Sequence, residues 1–258
     1  MESILRHLKI WWMMVSKYIK AKTQYRLDFI IGMLTMVVES GTGLLVLWIL
    51  FPPGSTLAGW NFRELFFIYS LTQLALIPMY MFFVHLWGVS DQVESGEFIK
   101  YYFRPINMFV YYIGDRIDIR MIGNIFLASA AVIYASSLNH IQWTLWKIVF
   151  LLFSLFGSSL ILISVYLVAA SVSLVFDSPL FVFVHFISRF IEFAKYPATI
   201  FKGFIRFMIT CMIPMAFMGY YPALYFLRPQ EGNLLMYASP VIGIVMFILA
   251  YQVWRIGV

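Results

Sequence analysis

Residues 189–226, RFIEFAKYPATIFKGFIRFMITCMIPMAFMGYYPALYF, form an apolar stretch that charged residues and prolines repeatedly interrupt. Arg189, Glu192 and Lys195 recur every three residues and therefore share one helical face. Pro197 removes a backbone donor and ends that helix. Non-helical backbone at membrane depth is tolerated only where it is buried in protein or lines a wet cavity. The stretch therefore predicts part of a pathway and not a wall that faces lipid.

Two further prolines divide the apolar run that follows. Pro214 and Pro222 interrupt it, which favours two short helices that fold back on each other. If residues 204–226 crossed the membrane fully instead, the chain would have seven spans and its C-terminus would lie outside. The prolines argue against that alternative.

Composition places the chain among integral membrane proteins. Of its 258 residues, 62% are hydrophobic and 12% charged, which is more apolar surface than a soluble domain of this length could bury. A single cysteine excludes an internal disulfide, and four scattered histidines without paired ligands predict no metal site. No contiguous basic surface for nucleic acid is visible, and the net charge of +6 fits cytosolic loops that face anionic lipid.

Residues 1–28 predict an amphipathic helix that lies in the membrane interface, because lysines and arginines alternate with apolar residues spaced three and four apart. A signal peptide is the competing interpretation. Its short apolar core would not contain Lys17, Lys20 and Lys22, and no small-residue cleavage site follows.

Apolar runs predict an all-α integral membrane protein. Six transmembrane helices are expected at 29–51, 62–84, 119–137, 143–176, 180–196 and 234–254. Glu39 lies near the middle of the first, where an ionised carboxyl against lipid is costly. It should face the protein interior, pair with a cation or be protonated, and the sequence allows both a structural pairing and a role in translocation.

Residues 85–118 combine many charges with aromatic side chains. This pattern predicts a cytosolic region with a short amphipathic helix whose aromatic face docks against a partner. A solvated loop is the alternative, although such a loop would not need its aromatics. With the broken stretch returning to the side it left, most lysines and arginines lie on the side of the termini, so both termini are expected in the cytosol.

Motifs for chemistry within the chain are absent from the sequence. It contains no GxxxxGK[ST] phosphate loop, no HExxH helix and no GxSxG turn. We therefore expect no catalytic residues and no enzyme activity from this chain by itself.

Several short motifs resemble those of ABC-2 type permeases. Residues 94–107, ESGEFIKYYFRPIN, resemble the (S)GE…(L)RP(L/I)N element of that family. The resemblance continues, in the same order, in 25–29 (YRLDF), 59–60 (GW), 192–197 (EFAKYP) and 220–224 (YYPAL). It covers nearly the whole chain.

The resemblance implies six transmembrane helices, an interfacial connecting helix over 1–28, a coupling element within 85–118 and a re-entrant extracellular hairpin over 197–226. It implies a dimer with a second permease chain, identical or related, and two cytosolic ATPase subunits that bind ATP and Mg²⁺. The residues that it assigns to coupling are Glu94, Gly96, Glu97, Tyr101, Arg104 and Pro105. Those that it assigns to the hairpin as an outer gate are Pro197, Pro214, Tyr220, Tyr221 and Pro222.

The same resemblance leads us to expect an exporter in a bacterial inner membrane, with a drug-like, amphipathic or lipid cargo. Glu39 would favour cationic or amphipathic molecules, whereas for Arg189, Glu192 and Lys195 an internal salt-bridge network is favoured over contact with substrate. An ion-coupled carrier or channel without an ATPase is a second possibility, because intramembrane charges and broken helices also occur there. A third is a membrane scaffold that anchors a cytosolic protein through residues 85–118.

Overall fold

The computed structural model describes residues 11–13, 15–20, 22, 24–51, 56–103, 107–175, 181–231 and 233–258, and for residues 175 and 181–186 the backbone alone. Almost all of these residues are helical. The strands within these ranges form one β-hairpin, in which β1 (Thr56–Leu57) pairs antiparallel with β2 (Trp60–Asn61).

Beyond residue 24, the described ranges contain ten α-helices. They are α1 (Arg26–Leu50), α2 (Phe62–Pro78), α3 (Val89–Glu94), α4 (Met108–Asp115), α5 (Ile122–Leu138), α6 (Leu145–Val175), α7 (Phe181–Ala194), α8 (Gly203–Phe207), α9 (Tyr220–Leu227) and α10 (Ser239–Gly257). The described residues among 11–24 are helical as well. Residues 1–10, the first part of the predicted interfacial helix, lie outside the description.

Five helical stretches of the described chain are long and apolar enough to cross a membrane. They are Arg26–Leu50, Phe62–Glu94, Ile119–Leu138, Leu145–Leu174 and Ser239–Gly257. The total becomes six if Gly203–Met212 and Met215–Leu227, which meet at an angle of 68°, are counted as one broken span. The predicted class, an all-α integral membrane protein, is confirmed.

The second span continues ten residues beyond its predicted end at Val84. α2 ends at Pro78, a π-helical turn (Met79–Phe83) and a 3-10 turn (Val84–Gly88) follow, and α3 carries the helical path to Glu94. Pro78 has no N–H to donate, so a change in helix type at this point is expected. The sequence of α3 is polar, but one of its faces is buried against α6.

α7 occupies the position of the predicted fifth span, 180–196. It has 14 residues and is about 21 Å long, which is less than the roughly 30 Å of a hydrocarbon core. The chain leaves the helix after Ala194 and reaches Pro197 through a turn. α7 alone is therefore too short to cross a membrane, and Arg189 and Glu192 lie in its C-terminal half.

Small residues allow α6 and α10 to pack closely against each other. α6 packs along α10, and a Cβ atom added at Gly243 would overlap the carbonyl oxygen of Gly157. Helix backbones approach this closely in membranes only where side chains are small. The N-terminal helical residues pack elsewhere: Val15 is buried with Ile117 and Ile119, beside Met81 and Phe82 of the second span.

Candidate functional site

A cavity of about 520 Å³ lies between α1, the second span, the residues that lead into α5, and α7. This volume falls within the usual range of small-molecule sites. Its charged lining residues are Glu39, Asp118, Arg120, Arg189, Glu192 and Lys195, and its polar lining residues include Ser40, Tyr69, Gln73, Tyr80, Asn124 and Ser188.

The cavity brings together all four charged residues that the sequence places at membrane depth. Glu39 comes from α1, Arg189 and Glu192 come from α7, and Lys195 follows one residue after α7 ends. α1 and α7 are far apart in the sequence, so their meeting could not be read from local patterns. The residues predicted to belong to the pathway thus line one cavity.

Glu192 and Lys195 form an ion pair with each other. The ammonium of Lys195 lies 2.7 Å from a carboxylate oxygen of Glu192 and 5.7 Å from the centre of the Tyr69 ring. The Lys195 side chain is only 15% exposed. The predicted salt-bridge network therefore exists between Glu192 and Lys195, whereas Arg189 takes no part in it among the described residues.

A second ion pair in the cavity was not singled out from the sequence. The guanidinium of Arg120 donates two hydrogen bonds to the carboxylate of Asp118, of 2.8 and 2.5 Å. The backbone N–H of Asp118 in turn donates to the carbonyl of Met81, 2.8 Å away, which fixes the pair against the second span. Asp118 is the last residue of the charged region 85–118 and Arg120 lies two residues further on, and their sequence gives no sign that they face a cavity.

Glu39 and Arg189 remain without an ion pair or hydrogen bond among the described residues. Both side chains are exposed, so the cavity is open on the side where they lie. The side-chain oxygen of Asn124, which also lines the cavity, is buried and has no partner in the described part of the chain. Within the same part, no three His, Cys, Asp or Glu side chains are grouped to hold a metal ion.

A smaller cavity of about 50 Å³ adjoins the charged one and shares six lining residues with it. These are Ser40, Gln73, Leu76, Tyr80, Met121 and Asn124. Its other walls are mostly apolar and include Leu44, Ile77, Leu127 and Ala128. The site therefore has a charged chamber and an apolar recess that meet at Asn124.

The predicted hairpin contains one break in place of two. The chain bends at Ile213 and Pro214, between the π turn Met208–Met212 and a 3-10 turn at Met215–Phe217. The interpretation of Pro222 as a second interruption is wrong. It is the third residue of α9, where a backbone N–H has no partner within the helix, so proline is tolerated there.

The residues proposed for the gate are all buried: Pro197, Pro214, Tyr220, Tyr221 and Pro222. The Tyr220 ring packs edge-on against Trp60 and the Tyr221 ring stacks on Phe217, with centroids 5.8 and 4.4 Å apart. The Phe217 carbonyl accepts hydrogen bonds from the hydroxyls of Ser158 and Ser239, at 3.0 and 2.8 Å. The broken segment is thus packed and hydrogen-bonded on several sides.

The residues proposed for coupling lie at and after the end of the second span. Glu94 is the last residue of α3, Gly96 has a φ of +74° that favours glycine, and Glu97 begins a 3-10 turn (Glu97–Tyr101). All three residues are exposed. Arg104 and Pro105 lie outside the described residues.

Tyr101 differs from the other proposed coupling residues because it is buried, with 2% of its surface exposed. Its hydroxyl donates to Asp115 at 2.7 Å, and its ring packs against Tyr112. Burial and this hydrogen bond raise the pKa of Tyr101, so it remains a neutral donor. Tyr101 therefore anchors the element, while Ile99, Tyr102 and Phe103 are exposed.

The fold and the site define a class: a membrane protein with several spans, a charged cavity among them and an amphipathic element after the second span. A family model described as ABC-2 family transporter protein matches residues 37–258. Because the match covers most of the chain, the chain belongs to the ABC-2 transporter family, as its motifs predicted. Permeases of this family are membrane components of transporters, are not themselves catalytic, and generally work with an ATPase subunit. No curated protein and no solved structure matched the chain.

Proposed function

We propose that this chain is the permease subunit of an ATP-binding cassette exporter and that the charged cavity is part of its substrate pathway. The observation that carries the proposal is the meeting of Glu39, Arg189, Glu192 and Lys195 in one cavity. Charges within membrane spans are costly, face protein or water, and commonly mark transport pathways.

The exposed part of the coupling element docks into a cleft of a cytosolic ATPase subunit. Its face consists of Glu94 and Glu97 together with the exposed apolar side chains of Ile99, Tyr102 and Phe103. Exposed aromatics in a polar frame commonly mark protein contacts. Tyr101 and Phe98, which are buried, attach this face to the membrane-spanning core.

The broken segment closes the outer end of the pathway. ATP and Mg²⁺ bind to two copies of the ATPase subunit, whose closure pushes the coupling elements and switches the pathway between inward and outward access. The two permease chains, identical or related, enclose the pathway between them. Both termini face the cytosol of a bacterium whose inner membrane holds the complex, in agreement with the distribution of lysine and arginine.

The cargo is a drug-like, amphipathic or lipid molecule. The charged chamber offers ionic contacts, and the recess beside it offers apolar surface. Met36 and Met121 line the charged chamber and provide an adaptable apolar surface for molecules of different shape.

The test of this proposal starts with purification of the tagged chain from its host in mild detergent. We expect an ATPase subunit with a phosphate-binding loop in the eluate, and ATP hydrolysis that vanadate inhibits. Reversal of charge by Glu97→Lys should then reduce stimulation of hydrolysis by substrate, because it alters the docking face. Arg63→Glu is the matched control, since Arg63 is exposed at the opposite end of the second span.

Purification of the chain without any ATPase would contradict the exporter proposal. If Glu97→Lys and Arg63→Glu behaved alike, the exporter could stand but the docking face would not. The thermal unfolding temperature of each variant, measured alongside, distinguishes loss of coupling from loss of folding.

A further inference from the structure

We propose that the charged cavity binds the zwitterionic group of an amphiphile, with its cationic part at Glu39 and its anionic part at Arg189. This inference rests on the proposed function and names the class of substrate for that same site. It differs from the expectation drawn from Glu39 alone, which favoured cationic molecules.

Two of the charged residues in the cavity are free to meet a ligand. Six charged residues line the cavity, and their formal charges sum to zero. Glu192 is held by Lys195 and Asp118 by Arg120, in pairs within 2.7 Å. Among the described residues, Glu39 and Arg189 are the cavity-lining charges that no such pair compensates.

Electrostatics favours a ligand that carries both a positive and a negative charge. An uncompensated charge at membrane depth is unfavourable, and a bound ion of opposite sign relieves it. A simple cation would compensate Glu39 and leave Arg189 alone, whereas a simple anion would do the reverse. A ligand that carries both charges compensates both residues, and it enters without changing the net charge of the cavity.

The apolar recess suits the rest of the ligand, beyond its charged head. The apolar recess opens from the charged chamber, and Asn124 lines both. The buried Asn124 oxygen lacks a partner in the described chain, so it can accept a hydrogen bond from a polar linker between the head and an apolar part. Polar groups at one end of a site and apolar walls at the other suit an amphiphile.

The experiment measures ligand binding to the purified complex in a maltoside detergent by native mass spectrometry. Three probes share a sixteen-carbon chain: a lysophosphocholine as zwitterion, a lysophosphatidylglycerol as anion and hexadecyltrimethylammonium as cation. A fourth, glycerophosphocholine, has the zwitterionic head without the chain. We expect the lysophosphocholine to bind most tightly, and we expect Glu39→Gln and Arg189→Gln each to weaken its binding about tenfold or more.

The other probes separate the two charges. Binding of the cation should fall in Glu39→Gln only, and binding of the anion should fall in Arg189→Gln only. Arg63→Gln and Glu231→Gln are the matched controls, because both residues are exposed and neither lines the cavity. Glycerophosphocholine has no chain to place in the apolar recess, so it should bind more weakly than the lysolipid.

Three results would overturn the inference. The first is that the cation binds as tightly as the zwitterion and that Arg189→Gln leaves binding of the zwitterion unchanged. The second is no effect of either substitution on any probe. The third is binding of glycerophosphocholine as tight as that of the lysolipid, since it would show that the apolar recess takes no part.

An error in the substrate class can be distinguished from an error in the proposed exporter function. Purification with an ATPase subunit and vanadate-sensitive hydrolysis do not depend on which probe binds. A complex that hydrolyses ATP but shows no preference for the zwitterion would remove the substrate class alone. Unfolding temperatures of the two cavity variants, compared with those of their controls, show whether a loss of binding reflects a loss of folding.

Discussion

Arg228 holds Glu64 through two hydrogen bonds, of 2.9 Å from Nε and 3.0 Å from Nη2. The same guanidinium donates to the carbonyl of Gly59 at 2.7 Å and lies 3.7 Å from the centre of the Trp60 ring. Paired, planar contacts of this kind are among the stronger polar interactions in proteins. Arg228 therefore ties the end of the broken segment to the β-hairpin and to the start of the second span.

Replacement of Arg228 by glutamine should lower the free energy of unfolding by about 2 kcal/mol, because the Glu64 side chain, 13% exposed, loses its cation. Arg228→Lys should be intermediate, since an ammonium keeps the charge but not the fork of donors. The hydrogen bonds to Glu64 raise the pKa of Arg228 above its usual range, so the pair should persist in alkaline buffer.

Thermal unfolding in detergent checks this prediction, with Arg255→Gln as the control at an exposed arginine near the end of α10. Equal unfolding temperatures for Arg228→Gln and Arg255→Gln would show that the contacts around Arg228 add nothing to stability.

Gly243→Ala should also lower stability, by about 1–3 kcal/mol, although alanine is the better helix former. The new Cβ would overlap the carbonyl oxygen of Gly157, and a backbone atom cannot rotate away. Gly41→Ala in α1 is the matched control, because nothing lies within 4 Å of its Cβ position. Unfolding curves that place Gly243→Ala at or above Gly41→Ala would mean that α6 and α10 can separate without cost.

The sequence predicts the all-α membrane fold well because long apolar runs and prolines act locally. The exceptions arise where tertiary packing decides. Val89 and Gln92 make α3 part of the second span by burial, although Asp91 and Glu94 in the same helix are charged and exposed. Pro222 is harmless because the helix that contains it begins only two residues earlier, and the sequence does not show where that helix begins.

The site was predictable in part for a similar reason. A charge within an apolar run is rare, so Glu39 and Arg189 stand out in the sequence. That both line one cavity depends on how α1 packs near α7, and no local pattern contains this information. In the coupling element, the spacing of the aromatic residues indicates which of them are buried. Phe98 and Tyr101 are three residues apart and share the buried face, whereas Phe103 falls on the exposed one.

Cys211 offers a direct test of the orientation of the broken segment. It is the single cysteine of the chain, and it is exposed in the π turn before the bend. If the segment enters from outside and returns there, a maleimide that cannot cross membranes should label Cys211 in intact cells. The measurement is the fraction of the chain labelled before and after the cells are opened.

Two variants on a Cys211→Ser background calibrate the labelling. Glu231→Cys should react from outside, because Glu231 is exposed beyond the end of α9. Lys20→Cys, in the exposed part of the N-terminal helical stretch, should react only after the cells are opened. Labelling of Lys20→Cys in intact cells, or of Cys211 only in opened ones, would contradict the proposed topology.

Tyr101 and Phe103 should give opposite results, since one anchors the coupling element and the other belongs to its exposed face. Tyr101→Phe removes the hydrogen bond to Asp115 and should lower the free energy of unfolding by about 1–2 kcal/mol. Phe103 is 80% exposed, so Phe103→Ala should leave the unfolding temperature unchanged and weaken retention of the ATPase subunit during purification. Both quantities are measured on both variants. A Phe103→Ala protein that keeps its full complement of ATPase would place the contact elsewhere, and an unchanged unfolding temperature for Tyr101→Phe would remove the anchor.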